Sequence, residues 1–231
     1  MKNKVHMGFD ESGKLVESNL LVRIQKTKYI DQFKNGHIYM SKLETFLKDE
    51  NSGIGDDYEG LLGIYDSGIL TVDGVEIGEA KNIIVRVCGN IPVLCFMNVT
   101  MQESENGYRY IIPKKYLDEF AHDENEDYSL IIIDKQKFKD KIKEYNEKSG
   151  IGFYFNKVSY AEKFEPLQNG EFYKAAFRKR TRYEHQNEYR MIAFKNVDDC
   201  FEFDVGDISD ISYVLSIPKE HEDISIDVQF R

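Results

Sequence analysis

The amino-acid sequence predicts an α+β domain: a mixed or antiparallel β-sheet, whole or split, with short helices flanking it. Three observations carry this expectation. Short apolar and β-branched runs recur along most of the chain, hairpin signals are mixed with single helices, and neither a repeat nor a steady β-α alternation is present. The chain has 231 residues, 41% of them hydrophobic and 13% aromatic, which suits one core with insertions spanning residues 1–231.

The elements follow in order. Val5–Phe9 and Lys14–Val16 flank the turn formers Asp10-Glu-Ser-Gly13, which predicts a peripheral hairpin over residues 1–19. Leu20–Ile24 reads as a strand, and Tyr29, Ile30 and Phe33 recur at helical spacing up to the natural stop Asn35-Gly36. His37–Met40 is a second strand. Ser41 then caps a helix carrying Leu43, Phe46 and Leu47, with Glu44 at the capping-box position. Residues 49–57 have loop composition, closed by the acidic Gly55-Asp-Asp-Tyr-Glu-Gly60.

Asp73-Gly74 between Ile69–Val72 and Val75–Ile77 is a strong two-residue hairpin signal. Asn82–Val87 and Pro92–Val99 read as adjacent central strands. Pro113 opens a short helix with Tyr116, Leu117 and Phe120 on one face, and 122–127 is an acidic loop. Tyr128–Ile133 is a strand, followed by a helix over Lys135–Lys148 that shows Phe138, Ile142 and Tyr145 to the core. Ile151–Tyr160 is another strand, a basic helical or irregular segment follows, and strands close the chain near Tyr189–Phe194, Cys200–Val205, Tyr213–Ile217 and Asp223–Phe230.

No apolar run approaches the roughly 20 residues that cross a bilayer. The N-terminus has no secretory pattern, so a cytoplasmic protein without a membrane partner is expected. Cys88, Cys95 and Cys200 have no metal-type spacing and an odd count, which predicts reduced thiols. With 31 Lys+Arg against 41 Asp+Glu the net charge is −10, so non-specific attraction to nucleic acid is opposed except at a local basic patch. The five histidines make no ligand pair, and a metal site is not expected. The glycine signatures of phosphate-binding loops and dinucleotide folds, and the serine elbow of hydrolases, are all missing.

The densest feature is Phe172–Arg190. Lys174, Arg178, Lys179, Arg180, Arg182 and Arg190 stand beside Phe172, Tyr173, Phe177, Tyr183 and Tyr189. Guanidinium groups grip phosphates and aromatic rings stack on bases, so this mixture suits a nucleotide, with Arg178 and Arg182 as phosphate ligands. The alternative is a solvated basic face whose rings belong to the core. At its end Gln186-x-Glu188-x-Arg190 begins a strand, which places Glu188 and Arg190 on one face. A carboxylate beside a cation in a cleft can stabilise a developing positive charge or position a hydroxyl. An ordinary ion pair reads the same way. The carboxylates of Gly55–Gly60 could hold a ligand, although such groups more often solvate a loop.

Four blocks, Phe33-x-x-Gly-x-Ile-Tyr-Met-Ser41, Gly55-Asp-Asp-Tyr-Glu-Gly60, Pro92-Val-Leu-Cys-Phe96 and Tyr183-x-x-Gln-x-Glu-Tyr-Arg190, stand in an order similar to that of a loose group of uncharacterised bacterial and prophage proteins. That group resembles, more distantly, the ADP-ribosyltransferase superfamily. The resemblance implies an ADP-ribosyltransferase-like fold with NAD as cofactor. It assigns Arg23 to the early strand position that grips NAD, Asn98 or Thr100 to the middle strand and Glu188 to the late one, where Gln186-x-Glu188 matches the Gln-x-Glu form. Tyr183, Gln186 and Arg190 fall beside it as nucleotide-contacting residues. A Ser-Thr-Ser triplet on the middle strand and a His or aromatic NAD clamp are not seen. The expected partner is a nucleotide or a host or phage macromolecule, in conflict between phage and bacterium. The alternatives are a non-catalytic binding protein, such as an inhibitor of a defence enzyme, and a nucleic-acid-binding module.

Overall fold

A computed structural model describes residues 19–48, 56, 58–87, 89–104, 107–121, 123, 125–168 and 170–229. The strands are β1 (Leu20–Lys26), β2 (His37–Lys42), β3 (Leu61–Val72), β4 (Val75–Arg86), β5 (Pro92–Asn98), β6 (Thr100–Ser104), β7 (Gly107–Ile112), β8 (Tyr128–Asp134), β9 (Phe153–Lys157), β10 (Ser159–Tyr160), β11 (Arg178–Lys179), β12 (Glu188–Ala193), β13 (Cys200–Asp204), β14 (Ser212–Ser216) and β15 (Ile224–Gln229). The α-helices are α1 (Ile30–Lys34), α2 (Leu43–Lys48), α3 (Lys114–Phe120) and α4 (Lys135–Ser149). The α+β class and the largely antiparallel pairing agree with the sequence. The hairpin expected at 1–19 lies outside the described residues.

The main sheet has eight strands, all paired antiparallel, and it forks. β9, β12 and β5 form its stem. The opposite edge of β5 is divided: Met97 and Asn98 pair with β1, whereas Pro92 and Val93 pair with β2. β1 continues into β8 and β14, and β2 into β13. Between the two branches Leu94, Cys95 and Phe96 therefore face an opening instead of a strand.

Alternation of side chains gives this sheet two covered faces. On one, Phe138 and Ile142 of α4 pack on Leu94, Phe96, Ile131, Tyr189 and Met191. Asp134 caps that helix by accepting a hydrogen bond from the Lys137 amide at 3.0 Å, and Gly150 closes it at φ 71. The other face carries two apolar clusters. Leu20, Val22, Met97 and Ile132 lie under α3 and β7, and Val93, Ile192 and Leu43 lie under the 3-10 turn Phe172–Phe177.

Several local expectations are corrected. Asn82–Val87 is not a central strand, because Asn82–Arg86 ends β4, which pairs along its whole length with β3 in a separate two-stranded hairpin. Asp73 at φ 50 and Gly74 at φ 80 make its turn, as Asp-Gly predicted. Ser41 is a strand residue opposite Val93 and Cys200, so α2 starts at Leu43 without it. β6 and β7 add to the strands expected, with Tyr108, Tyr110 and Ile112 alternating inward along β7, and they form a three-stranded sheet with β15. Among the described residues no helix is long and apolar enough to cross a membrane.

Candidate functional site

β12 supplies two charged side chains to the seam between the two apolar clusters. Glu188 and Arg190 are two residues apart on one strand and share a face, so the Arg190 Nε donates to Glu188 Oε2 at 2.7 Å. Both are buried, at 4% and 0% exposure. Burying charge is costly unless each is paired.

The remaining partners come from distant segments. After its last pair with β12, the chain from β9 runs on past Val158, whose amide donates to the Glu188 carbonyl, into β10, which pairs in parallel with Arg178 and Lys179. That path puts the Lys179 ammonium against Glu188 Oε1 and 2.7 Å from the Gln186 side-chain oxygen. Glu59 enters from the other side. Its two oxygens accept from Nη1 and Nη2 of Arg190 at 2.7 Å each, and Lys179 lies 3.7 Å away. Arg190 Nη1 also donates to the Ala176 carbonyl. The result is a charge-balanced cluster of Lys179, Arg190, Glu59 and Glu188.

Its electrostatics follow from this packing. Burial alone would raise the Glu188 pKa, but the charges of Arg190 and Lys179 and their hydrogen bonds outweigh it and hold the carboxyl at about 2. Lys179 is shifted up because its two carboxylates outweigh its burial. The Cys95 thiol is pushed up to about 12 by burial, which keeps it neutral and unreactive at pH 7. For stability the sign is that of a depressed acid. The Glu188 contribution is fully present above its unfolded value near 4.5 and is lost as pH falls from there toward 2. Acid titration of thermal unfolding is expected to show a steep loss across that window, and Glu188→Gln is expected to flatten it. An equally steep curve in the variant would place the acid sensitivity elsewhere.

The cluster forms one wall of a cavity of about 190 Å³ in the fork, whose lining includes Arg23, Tyr39, Phe46, Cys95, Tyr116 and Phe120 with Lys179, Glu188 and Arg190. Arg23 lies in the divided edge itself, donating from Nη1 to the Cys95 carbonyl at 2.9 Å and from Nε to Gln25 at 3.2 Å. Arg23, Ile24, Tyr39 and Phe120 also line a larger outer cavity of about 690 Å³, whose other walls include Lys26, Tyr29, His37, Tyr128 and Glu202.

Of the residues expected at the site, Arg23, Glu188 and Arg190 meet in this cavity. Gln186 and Tyr183 do not line it. Gln186 is buried behind Lys179 and donates to Glu119 at 2.6 Å, while the Tyr183 ring is covered by Lys179 and Arg182. Arg178 and Arg182 are also elsewhere. Arg178 donates to the carbonyls of Leu61, Leu62 and Glu165 and stacks on Phe164, so it ties segments together. Arg182 is exposed and bonds the Tyr183 hydroxyl. The basic segment is thus largely neutralised from within: Arg180 pairs with Asp56, Lys174 with Glu171, and Lys179 and Arg190 with the cluster.

Asp56 and Glu59 of the acidic block are fully buried ion-pair partners, which corrects the reading that they solvate a loop. Asn98 sits in β5 with a buried side-chain oxygen that finds no hydrogen-bond partner among the described residues. Thr100 begins β6. Lys179, Glu59, Tyr39 and Tyr116 were not singled out as site residues, and the one sequence signal for Glu59 was its place in the acidic block. Among the described residues no group of three His, Cys, Asp or Glu could hold a metal ion. In comparisons with known proteins, no family model, curated protein or solved structure matches this chain.

Proposed function

We propose that this chain is an ADP-ribosyltransferase-like protein that binds NAD or a related nucleotide in the fork of its split sheet. One observation carries the reading: Arg23 stands at the junction of the inner and outer cavities, with the Glu188 carboxylate along one and aromatic walls along both. A nucleotide needs a cation for phosphate, a flat apolar wall for the base and an acceptor for ribose hydroxyls. The outer cavity has the size of a small-molecule site, within about 300–1,000 Å³. A guanidinium carries five N–H donors, and the two bonds found for Arg23 among the described residues use two of them.

In this reading Glu188 supports a positively charged ribosyl centre or holds a hydroxyl. With its pKa near 2 it is a poor proton acceptor at neutral pH, which argues against a role in activating the acceptor group. A non-catalytic binder is the second reading, favoured by the cations already bound to both Glu188 oxygens. Titration calorimetry with NAD tests the shared part of both. Arg23→Ala is expected to weaken binding by about 10- to 100-fold, the scale of one charge-assisted hydrogen bond. Wild-type protein that gives no heat with NAD or other nucleotides would end the nucleotide reading.

A further inference from the structure

The β3–β4 hairpin is an arm whose two strands, among the described residues, pair with each other and with no third strand. A two-stranded ribbon by itself is marginal in water. This one also carries nine large apolar side chains that are 37–65% exposed, among them Ile69, Leu70, Val72, Val75, Ile77 and Ile84. Exposed apolar patches of that extent mark interaction surfaces.

We propose that the arm binds a second copy of this chain, through antiparallel pairing of the two β4 edges about a two-fold axis at Ala80. The β3 edge is obstructed at its base, where Leu62 accepts from the Leu167 amide at 2.9 Å and Arg178 reaches the Leu61 and Leu62 carbonyls. β4 remains. A two-fold interface requires a self-complementary surface, and β4 is self-complementary about Ala80. Pairing there sets Val75 against Val85, Ile77 against Ile83 and the exposed Glu79 against the exposed Lys81 of the other copy. Asn82, whose φ of 53 disturbs the strand, falls opposite Gly78, which has no side chain to obstruct it. Joining the ribbons makes one four-stranded sheet from two hairpins and pairs the open β4 edges.

Sedimentation of the full chain tests the proposal, with a dimer expected for the wild type. Lys81→Glu sets Glu79 against a second carboxylate and is expected to give monomers, and the swap Glu79→Lys with Lys81→Glu is expected to restore the dimer. Ala80→Cys is expected to cross-link two copies under mild oxidation, since directly opposed residues lie about 4.5–5.5 Å apart between Cα atoms, within disulfide reach. Gly78→Cys and the wild type serve as controls for register and native thiols. A wild type that is monomeric at its highest soluble concentration, a Lys81→Glu dimer, a charge swap that stays monomeric or an unlinked Ala80→Cys would each overturn the proposal.

Discussion

Replacing Arg190 with methionine is expected to destabilise the protein by about 3–5 kcal/mol, because it leaves the buried carboxylates of Glu59 and Glu188 with Lys179 as their remaining cation. For a chain of this size each kcal/mol moves the melting temperature by about 2–4 °C, so a fall of roughly 10 °C should be seen by calorimetry. The mechanism has its own control. Adding Glu59→Gln to the Arg190→Met chain removes one of the two carboxylates and leaves Lys179 paired with Glu188, so the cluster is again charge-balanced and much of the loss should return. A single variant within about 0.5 kcal/mol of wild type would show that water reaches the cluster and screens it.

Glu188→Gln separates an enzyme from a binder. Glutamine keeps the size and one acceptor oxygen but removes the charge. If the carboxylate supports a developing positive charge, NAD consumption should fall by a factor of about 10² or more while NAD affinity changes little. If Glu188 serves only to neutralise Lys179 and Arg190, the variant melts earlier and its other properties stay as in the wild type. Turnover, affinity and thermal unfolding measured on both proteins therefore decide between the two. A wild type that binds NAD and consumes none with any acceptor offered would leave the binding protein as the reading.

Local chemistry made much of the fold legible before any tertiary structure. Asp73-Gly74 named its hairpin turn, the apolar spacing of Phe138, Ile142 and Tyr145 named α4, and two-residue periodicity put Glu188 and Arg190 on one face. These are properties of neighbours a few residues apart, and the sequence determined them by itself. Which strand lies beside which is not such a property. Asn82–Val87 has the composition of a central strand, yet the length of the partner run in β3 drew most of it into the arm, and β5 took the central place between the branches.

The site was legible only in part for the same reason. Glu59 meets Arg190 across 131 residues, and Lys179 reaches Glu188 because β9 and β10 carry one strand from β12 to β11. Arg178 and Lys179 are adjacent and chemically alike in sequence, but alternation sends one to backbone carbonyls and the other into the ion cluster. Residue types and short spacings determined that this chain has a basic, aromatic segment ending in a paired glutamate and arginine. Tertiary structure decided that Arg178, Lys179 and Arg190 of that segment turn inward, because a buried cation is stable only where the fold brings it a carboxylate or a carbonyl, and many of those partners came from distant parts of the chain.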